Sequence, residues 1–175
     1  MAGPSSAVLL SSILSKTDIA DVQNIIQKVA AIVQGEDFWV DTTIPIGGSV
    51  EISNVIEARP FILALEELTV GEFYSANEIS QIESFSHTKP VFSLTLAAMC
   101  NGRVDHRILG ELTLCFATNL NGVIYFDGNL ESQEIAGYQG EICDIDTEEA
   151  KAAYSICDTD FMKWWLNSPN FKMIK

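Results

Sequence analysis

Hydrophobic residues recur along this chain with two different periods, and these periods predict helices and strands. Between Thr17 or Asp18, either of which can cap a helix, and Gly35, which can end one, apolar residues follow helical spacing as far as Val33. A second helical stripe runs from Ile108 to Leu120 and ends at the turn sequence "NLNG". The pattern therefore predicts two amphipathic helices.

Short apolar segments between and around these stripes are typical of strands. They are Val8–Ile13, "RPFILALEE" (59–67), "KPVFSLTLAAM" (89–99) and "VIYF" (123–126). A further segment, "EDFWVDT" (36–42), alternates, so that Phe38 and Val40 fall on one face and Asp37, Trp39 and Asp41 on the other. With this extra strand set aside, the order is the βαββαβ of the ferredoxin-like pattern.

This order predicts an α+β fold in which helices cover one face of an antiparallel sheet. No linker-like tract interrupts the chain, so we expect one domain over residues 1–175, with an α+β core (1–126) and an acidic C-terminal appendage (127–175). The appendage should hold a short helix in "TDFMKWWLN", capped by Asp158 or Thr159. That helix would dock Phe161, Trp164 and Trp165 on the domain.

The charge is strongly negative and unevenly placed. There are 24 acidic and 10 basic residues, a net charge of −14, which argues against a nucleic-acid partner. Residues 36–83 contain ten acids with Arg59 as the only base, and residues 127–160 contain ten acids with Lys151. Either the acids form a solvated surface that keeps the protein soluble, or the two blocks converge on a docking face for a basic protein.

The candidate partner-binding residues are taken from these blocks and from the alternating strand. They are Asp37, Trp39, Asp41, Glu66, Glu67, Glu141, Asp144, Asp146, Glu148 and Glu149. Trp39 has two interpretations. It is an exposed aromatic anchor of the kind enriched at binding hot spots, or it is covered by the loop at 42–58.

"AAMCNGRVDHR" (97–107) brings together residue types that could carry chemistry. Cys100 as a nucleophile with His106 as its base is one interpretation; the other is a turn at Asn101-Gly102 followed by a helix start at Asp105. Arg103 and Arg107 could then pair with Asp105 or with the acidic surface. We favour the structural interpretation, in which Cys100 is largely buried and Asp105 binds backbone N–H groups, so no catalytic residue is predicted.

The remaining motifs predict no cofactor and no metal. The chain has no GxGxxG, GxxxxGK[ST], GxSxG or HExxH motif, and its cysteines and histidines lack the paired spacing of a zinc site. His87 is expected at the surface. The four cysteines are expected to be reduced and mostly buried, and the opening residues resemble neither a secretory signal nor a membrane span, so we expect a cytoplasmic protein without a membrane partner.

Several of these segments carry a resemblance that spans nearly the whole chain. "FWVD" at 38–41, "RPF" at 59–61, "MCNG" with "DH" at 99–106 and the terminal "FKMIK" resemble the signature positions of an uncharacterised bacterial family of small acidic cytoplasmic proteins. That resemblance implies a single domain and assigns no catalytic residue. In size and acidity the chain also resembles immunity proteins of bacterial polymorphic toxin systems.

The sequence therefore favours a non-enzymatic function. The leading hypothesis is an immunity-type protein that occludes a basic bacterial toxin domain with its acidic faces and exposed aromatic residues. The alternatives are a small enzyme using Cys100, Asp105 and His106, and an interaction domain without inhibitory action.

Overall fold

The computed structural model describes residues 3–46, 57–69, 71, 74–130, 137–147 and 153–174. These residues form eight strands and four helices. In chain order they are β1 (Ser5–Leu10), α1 (Lys16–Val29), β2 (Ala30–Gln34), β3 (Asp37–Asp41), β4 (Ala58–Glu67), α2 (Ala76–Ser86), β5 (Phe92–Ala98), α3 (Arg103–Leu120), β6 (Val123–Phe126), β7 (Ile142–Asp146), β8 (Ala153–Cys157) and α4 (Thr159–Leu166).

All eight strands belong to one antiparallel sheet with the order β2-β3-β4-β5-β1-β6-β8-β7. The predicted α+β class is confirmed. The strands β4, β5, β1 and β6 occupy the centre of the sheet in the order of a ferredoxin-like core, and α1 and α3 are its two crossover helices. The hairpin β2–β3 extends the sheet at one end, and β8–β7 extends it at the other.

The two faces of the sheet are covered unequally. On the face that we call the major face, α1, α3 and α4 enclose the larger core, with Phe38, Phe61, Leu94 and Phe116 at its centre. On the opposite, minor face, α2 packs Ile82 against Leu9, Tyr125 and other side chains of β1, β6, β7 and β8. The expectation that helices cover only one face is therefore wrong.

The first predicted helix is shorter than its apolar spacing suggests. Ser15, not Thr17 or Asp18, is the N-cap, and its hydroxyl and the Asp18 carboxylate form a reciprocal capping box. The helix ends at Val29, and Ile32 and Val33 lie in β2 instead. Gly35, with a φ of +65°, forms the tight turn that joins β2 to β3.

The C-terminal residues complete the sheet and the major core. Asp158, one of the two residues predicted to cap α4, accepts the Phe161 N–H at 2.7 Å, and Thr159 is the first residue of the helix. Phe161, Met162 and Trp165 are fully buried, while Trp164 is half-buried beside the rings of Phe161 and Trp165. The predicted docking of this helix on the domain is confirmed.

Candidate partner-binding surface

Trp39 lies on the minor face of β3, where strand alternation places it. Its neighbours Phe38 and Val40 are buried in the major core, whereas Asp37, Trp39 and Asp41 are partly exposed. Trp39 belongs to neither of the two hydrophobic clusters formed by the described residues. Trp39 is thus a partly exposed tryptophan outside the core, and residues 47–56 of the loop that could cover it lie outside the described residues.

The strands beside β3 surround Trp39 with apolar side chains. Ile32 of β2 and Pro60 of β4 stand directly opposite Trp39, one on each side. Met99 continues the row, because its N–H donates to the Pro60 carbonyl at 3.0 Å. Ile32 is 48% exposed and Met99 is 49% exposed, so the row is open at both ends. We call Ile32, Trp39, Pro60, Met99 and the flanking carboxylates Asp37 and Asp41 the Trp39 surface.

Carboxylates border this row on the same strand. Asp41 accepts hydrogen bonds from the Thr43 hydroxyl at 2.7 Å and from the Thr43 N–H at 2.9 Å. These bonds lower the pKa of Asp41 below its ordinary value, so Asp41 is charged at neutral pH. Asp37 stands opposite Ile62 of β4, and by alternation Glu66 lies on the same face near the end of that strand. The Trp39 surface is thus apolar at its centre and negative at its border.

The other predicted partner-binding residues lie elsewhere. Alternation along β4 puts Glu67 on the opposite face from Glu66. Asp144 and Asp146 are exposed on β7 at the far edge of the sheet, on the major-face side, where Asp144 accepts the Ser155 hydroxyl at 2.8 Å. Glu141 is exposed just before that strand, and Glu148 and Glu149 lie outside the described residues.

The predicted partner-binding residues on β3 and on β7 therefore do not converge, although the two acidic blocks meet elsewhere, where Gln81 of α2 exchanges two hydrogen bonds of 3.0 Å with the Asp146 backbone. In the strand order, β3 and β7 are separated by six strand spacings, or about 29 Å at ~4.8 Å each. Asp37 and Asp41 also point to the opposite side of the sheet from Asp144 and Asp146. The physical reason is that β8 and β7 add to the free edge of β6 instead of folding back over β3.

Asp105 is the most completely enclosed charge at the strand-to-helix junction. Its side chain is fully buried and accepts two hydrogen bonds from Arg59, at 2.8 Å from Nε and 2.6 Å from Nη2. Its Oδ2 also accepts the Gly102 N–H at 2.6 Å, so Asp105 stabilises the start of α3 as predicted. Burial raises the pKa of Asp105, but the hydrogen bonds from Arg59 and Gly102 outweigh burial and hold the pKa below its ordinary value.

Neither Arg103 nor Arg107, each of which could have paired with Asp105 or with the acidic surface, binds Asp105. Arg103 is exposed, and Arg107 pairs with Glu111 one helical turn further along α3. The actual partner, Arg59, lies on β4 and is 46 residues away in sequence. Only the pairing of β4 with β5 brings this arginine to the start of α3.

His106 has a structural contact on each of its ring nitrogens. Its Nδ1 accepts the Met173 N–H at 3.0 Å, which requires Nδ1 to be unprotonated, and its Nε2 lies 3.0 Å from the Asn101 carbonyl oxygen. Nearby, Trp165 donates from Nε1 to the Lys172 carbonyl at 3.0 Å. These bonds hold the C-terminal residues against α3 and α4, and they occupy the imidazole that the catalytic hypothesis needs as a base for Cys100.

The cysteines and histidines do not assemble a reactive or metal-binding group. Among the described residues, no three His, Cys, Asp or Glu side chains are grouped so that they could hold a metal ion. All four cysteines are free; Cys157 is buried, Cys100 and Cys115 are half-buried, and Cys143 is exposed, so the expectation of mostly buried thiols is wrong. His87 is exposed, as predicted, and ends α2 with a left-handed backbone.

The fold and this surface define a small α+β protein with one continuous antiparallel sheet. The chain belongs to a family of unknown function, DUF6368, whose model matches residues 2–175. No curated protein and no solved structure matches the chain. In the part of the chain that the structure describes, none of the helices has the length and apolar character needed to cross a membrane.

Proposed function

We propose that this protein is a binding protein that holds a basic protein partner on the Trp39 surface, and that it acts as an immunity-type inhibitor of a bacterial toxin domain. The observation that carries the proposal is the position of Trp39. It is partly exposed between Ile32 and Pro60, with Asp37 and Asp41 on the same face. An aromatic centre within a charged border is the arrangement of a binding hot spot.

The charge of the border favours a basic partner. Asp37, Asp41 and Glu66 share the minor face, and Arg59 is the only base between residues 36 and 83. That arginine is already bound to Asp105. A partner with lysines or arginines around an apolar patch would therefore meet complementary charge, which accelerates association more than it tightens the final complex.

The proposal uses only the first acidic block. Asp144 and Asp146 lie on the far edge of the sheet and on its other side, so a partner seated on Trp39 does not contact them. Their role in the proposal is limited to the long-range field of a chain with a net charge of −14.

The partner to test is the product of the gene beside the one encoding this chain, because an immunity protein is encoded next to its toxin. Binding of the purified pair should weaken as salt rises, mainly through slower association, since exposed charges are screened beyond about 10 Å at 0.1 M ionic strength. Asp37→Asn with Asp41→Asn should slow association, and the control pair Asp144→Asn with Asp146→Asn, which changes the net charge equally, should slow it much less.

Inhibition distinguishes this function from a simple interaction domain. The complex should lack the toxic activity of the partner, and the activity should return when the Trp39 surface is altered. A complex that forms with the partner fully active would reduce the proposal to an interaction domain. Absence of any binding would remove the proposed function altogether.

A further inference from the structure

β2 is an edge strand with the side-chain pattern of an interior strand. Among the strands that the structure describes, it is terminal and pairs only with β3. Ile32 is 48% exposed on the minor face and Val33 is 49% exposed on the major face. Apolar side chains on both faces are typical of strands whose two faces are both covered. The sequence "AAIVQ" thus fits a strand that is buried against another chain.

The opposite edge of the sheet is protected in a way that β2 is not. The terminal strand β7 carries Asp144 and Asp146, both exposed. Charged side chains on an edge strand prevent pairing with another chain. Strand β2 contains no charged residue, and within the described residues the feature that protects its edge is a bulge between Ala30 and Ile32, at one end of the strand. The three residues from Ile32 to Gln34 remain suited to pairing.

The segment that forms α1 and β2 has no net charge, although the acidic block begins directly after it, with Glu36 lining the groove beside β2 and Asp37 opposite Gln34. The segment 16–34, which contains α1 and β2, has two lysines and two aspartates, whereas the whole chain has a net charge of −14. Two copies of so acidic a chain repel each other over most of their surfaces. They can approach most closely where the local charge is zero, and this segment provides such a place.

A groove beside β2 adds apolar surface to the strand. It has a volume of about 390 Å³ and lies on the major-face side, between α1 and strands β2 to β4. Its apolar lining includes Val22, Ile26, Val33, Phe38, Leu63 and Leu65. A specific interface buries roughly 1,000 Å² or more in total, which a five-residue strand does not supply alone. A contact through β2 would have to include this groove and the neighbouring surface of α1.

We propose that a second copy of this chain binds at β2, with the two β2 strands antiparallel about a two-fold axis and the two α1 grooves covering each other. The result is a single sheet that continues through both copies. Because the axis of an antiparallel pair is perpendicular to the sheet, both Trp39 surfaces lie on the same side of that continuous sheet. The proposal does not depend on the proposed function, since the contact is at the strand edge and on the major face.

Sedimentation equilibrium of the purified chain, with a reductant to keep exposed Cys143 from cross-linking, tests the proposal. The expected result is a reversible equilibrium between the 19.2 kDa chain and a species of twice that mass. Dimerisation should strengthen as salt rises, because salt screens the repulsion between two acidic copies. Binding of a basic partner should weaken under the same change, so the two proposals can fail separately.

Substitution locates the contact. Val33→Lys should weaken dimerisation by about tenfold or more, since an unpaired ammonium would be desolvated in an apolar contact. Cys143→Lys adds the same charge at the opposite edge and should not weaken it. Circular dichroism checks that both variants are folded, and Gln27→Lys, at an exposed position of α1 that lines the same groove, provides a second test if Val33→Lys does not fold.

Three results would overturn the proposal. The first is a wild-type chain that stays monomeric up to about 1 mM, the concentration scale of the weakest specific contacts. The second is a dimer that a folded Val33→Lys variant leaves unchanged. The third is protection of the β2 amides from hydrogen exchange by a basic partner but not by raised protein concentration, which would assign this edge to the partner.

Discussion

Arg59 and Asp105 form a paired contact that joins β4 to the start of α3, with Nε–Oδ1 and Nη2–Oδ2 distances of 2.8 and 2.6 Å. Asp105 is fully buried, and Arg59 keeps about a quarter of its side chain exposed. The same carboxylate binds the Gly102 N–H. One side chain thus stabilises a helix start and attaches it to the sheet.

Arg59→Ala should destabilise the protein by about 3 kcal/mol, because it leaves the Asp105 carboxylate buried without its cation. Urea unfolding measures the change. Arg103→Ala, which removes an exposed arginine from the same end of α3, is the control and should change stability by about 0.5 kcal/mol or less. Equal losses in the two variants would contradict the structural role of the pair.

The stabilisation from Asp105 should depend on pH in the acidic range. Because the pKa of Asp105 is lower in the folded chain than its ordinary value, the contribution is fully present above the unfolded pKa of about 3.9. It is lost as the pH falls through the folded value. The difference in unfolding free energy between wild type and Asp105→Asn should therefore be constant at neutral pH and shrink below about pH 4. A difference that persists unchanged in acid would show that the carboxylate charge contributes nothing.

Two glycines with similar backbone angles should differ in their tolerance of alanine. Gly137 (φ +73°) has open space where a Cβ would lie, whereas at Gly140 (φ +81°) the Cβ would lie 2.2 Å from the Phe161 nitrogen and 2.4 Å from Asp158 Oδ1. Gly137→Ala should cost about 1 kcal/mol for the left-handed backbone. Gly140→Ala should cost ~3 kcal/mol or more, because overpacking adds to that strain at the start of α4. Similar melting temperatures for the two variants would mean that this loop does not pack on α4.

His106 should hold the C-terminal residues in place. His106→Ala removes the acceptor of the Met173 N–H, so exchange of that amide with solvent should accelerate and stability should fall by about 1 kcal/mol. His87→Asn is the matched control, since His87 is exposed and asparagine tolerates its left-handed backbone. Unchanged exchange of the Met173 amide in His106→Ala would show that the contact is not formed in solution.

The elements that sequence predicted well are those with an unambiguous period. Strict alternation in "DFWVD" placed Phe38 and Val40 in the core, and the apolar segments that became β4, β5 and β6 were found at nearly their observed positions. The stripe of α3 and the cap of α4 at Asp158 were also correct. In each case the pattern of neighbouring residues is compatible with one type of secondary structure.

Where the same residues suit either a helix or a strand, tertiary contacts determine which of the two forms. The spacing of Val29, Ile32 and Val33 suits a helix, but these β-branched residues also suit a strand, and the hairpin through Gly35 made Ile32 and Val33 part of β2. Helix α2 was missed although Ser75 and Glu78 form the S-x-x-E capping box that begins it. Its apolar stripe is too short to stand out without that box.

The sequence does not predict which charged residues pair when they lie far apart in the chain. No local pattern connects Arg59 with Asp105, and the sequence offered Arg103 and Arg107 as partners of either Asp105 or the acidic surface. The placement of Asp144 and Asp146 depends on β8 and β7 joining the sheet beside β6, which follows from strand order. Trp39 differs because strict alternation along β3 is enough to predict the face of the sheet on which it lies.

The most direct test of the proposed function measures Trp39→Ala and Trp164→Ala in parallel, each for thermal unfolding and for affinity toward the neighbouring gene product. Trp164 is the matched control because it is also half-buried but belongs to the aromatic group of α4 on the other face. Trp39→Ala should melt close to wild type and bind with a loss of about 2 kcal/mol, roughly thirtyfold in Kd. Trp164→Ala should keep wild-type affinity. A large fall in the melting temperature of Trp39→Ala with unchanged affinity would contradict the account and assign Trp39 to the core.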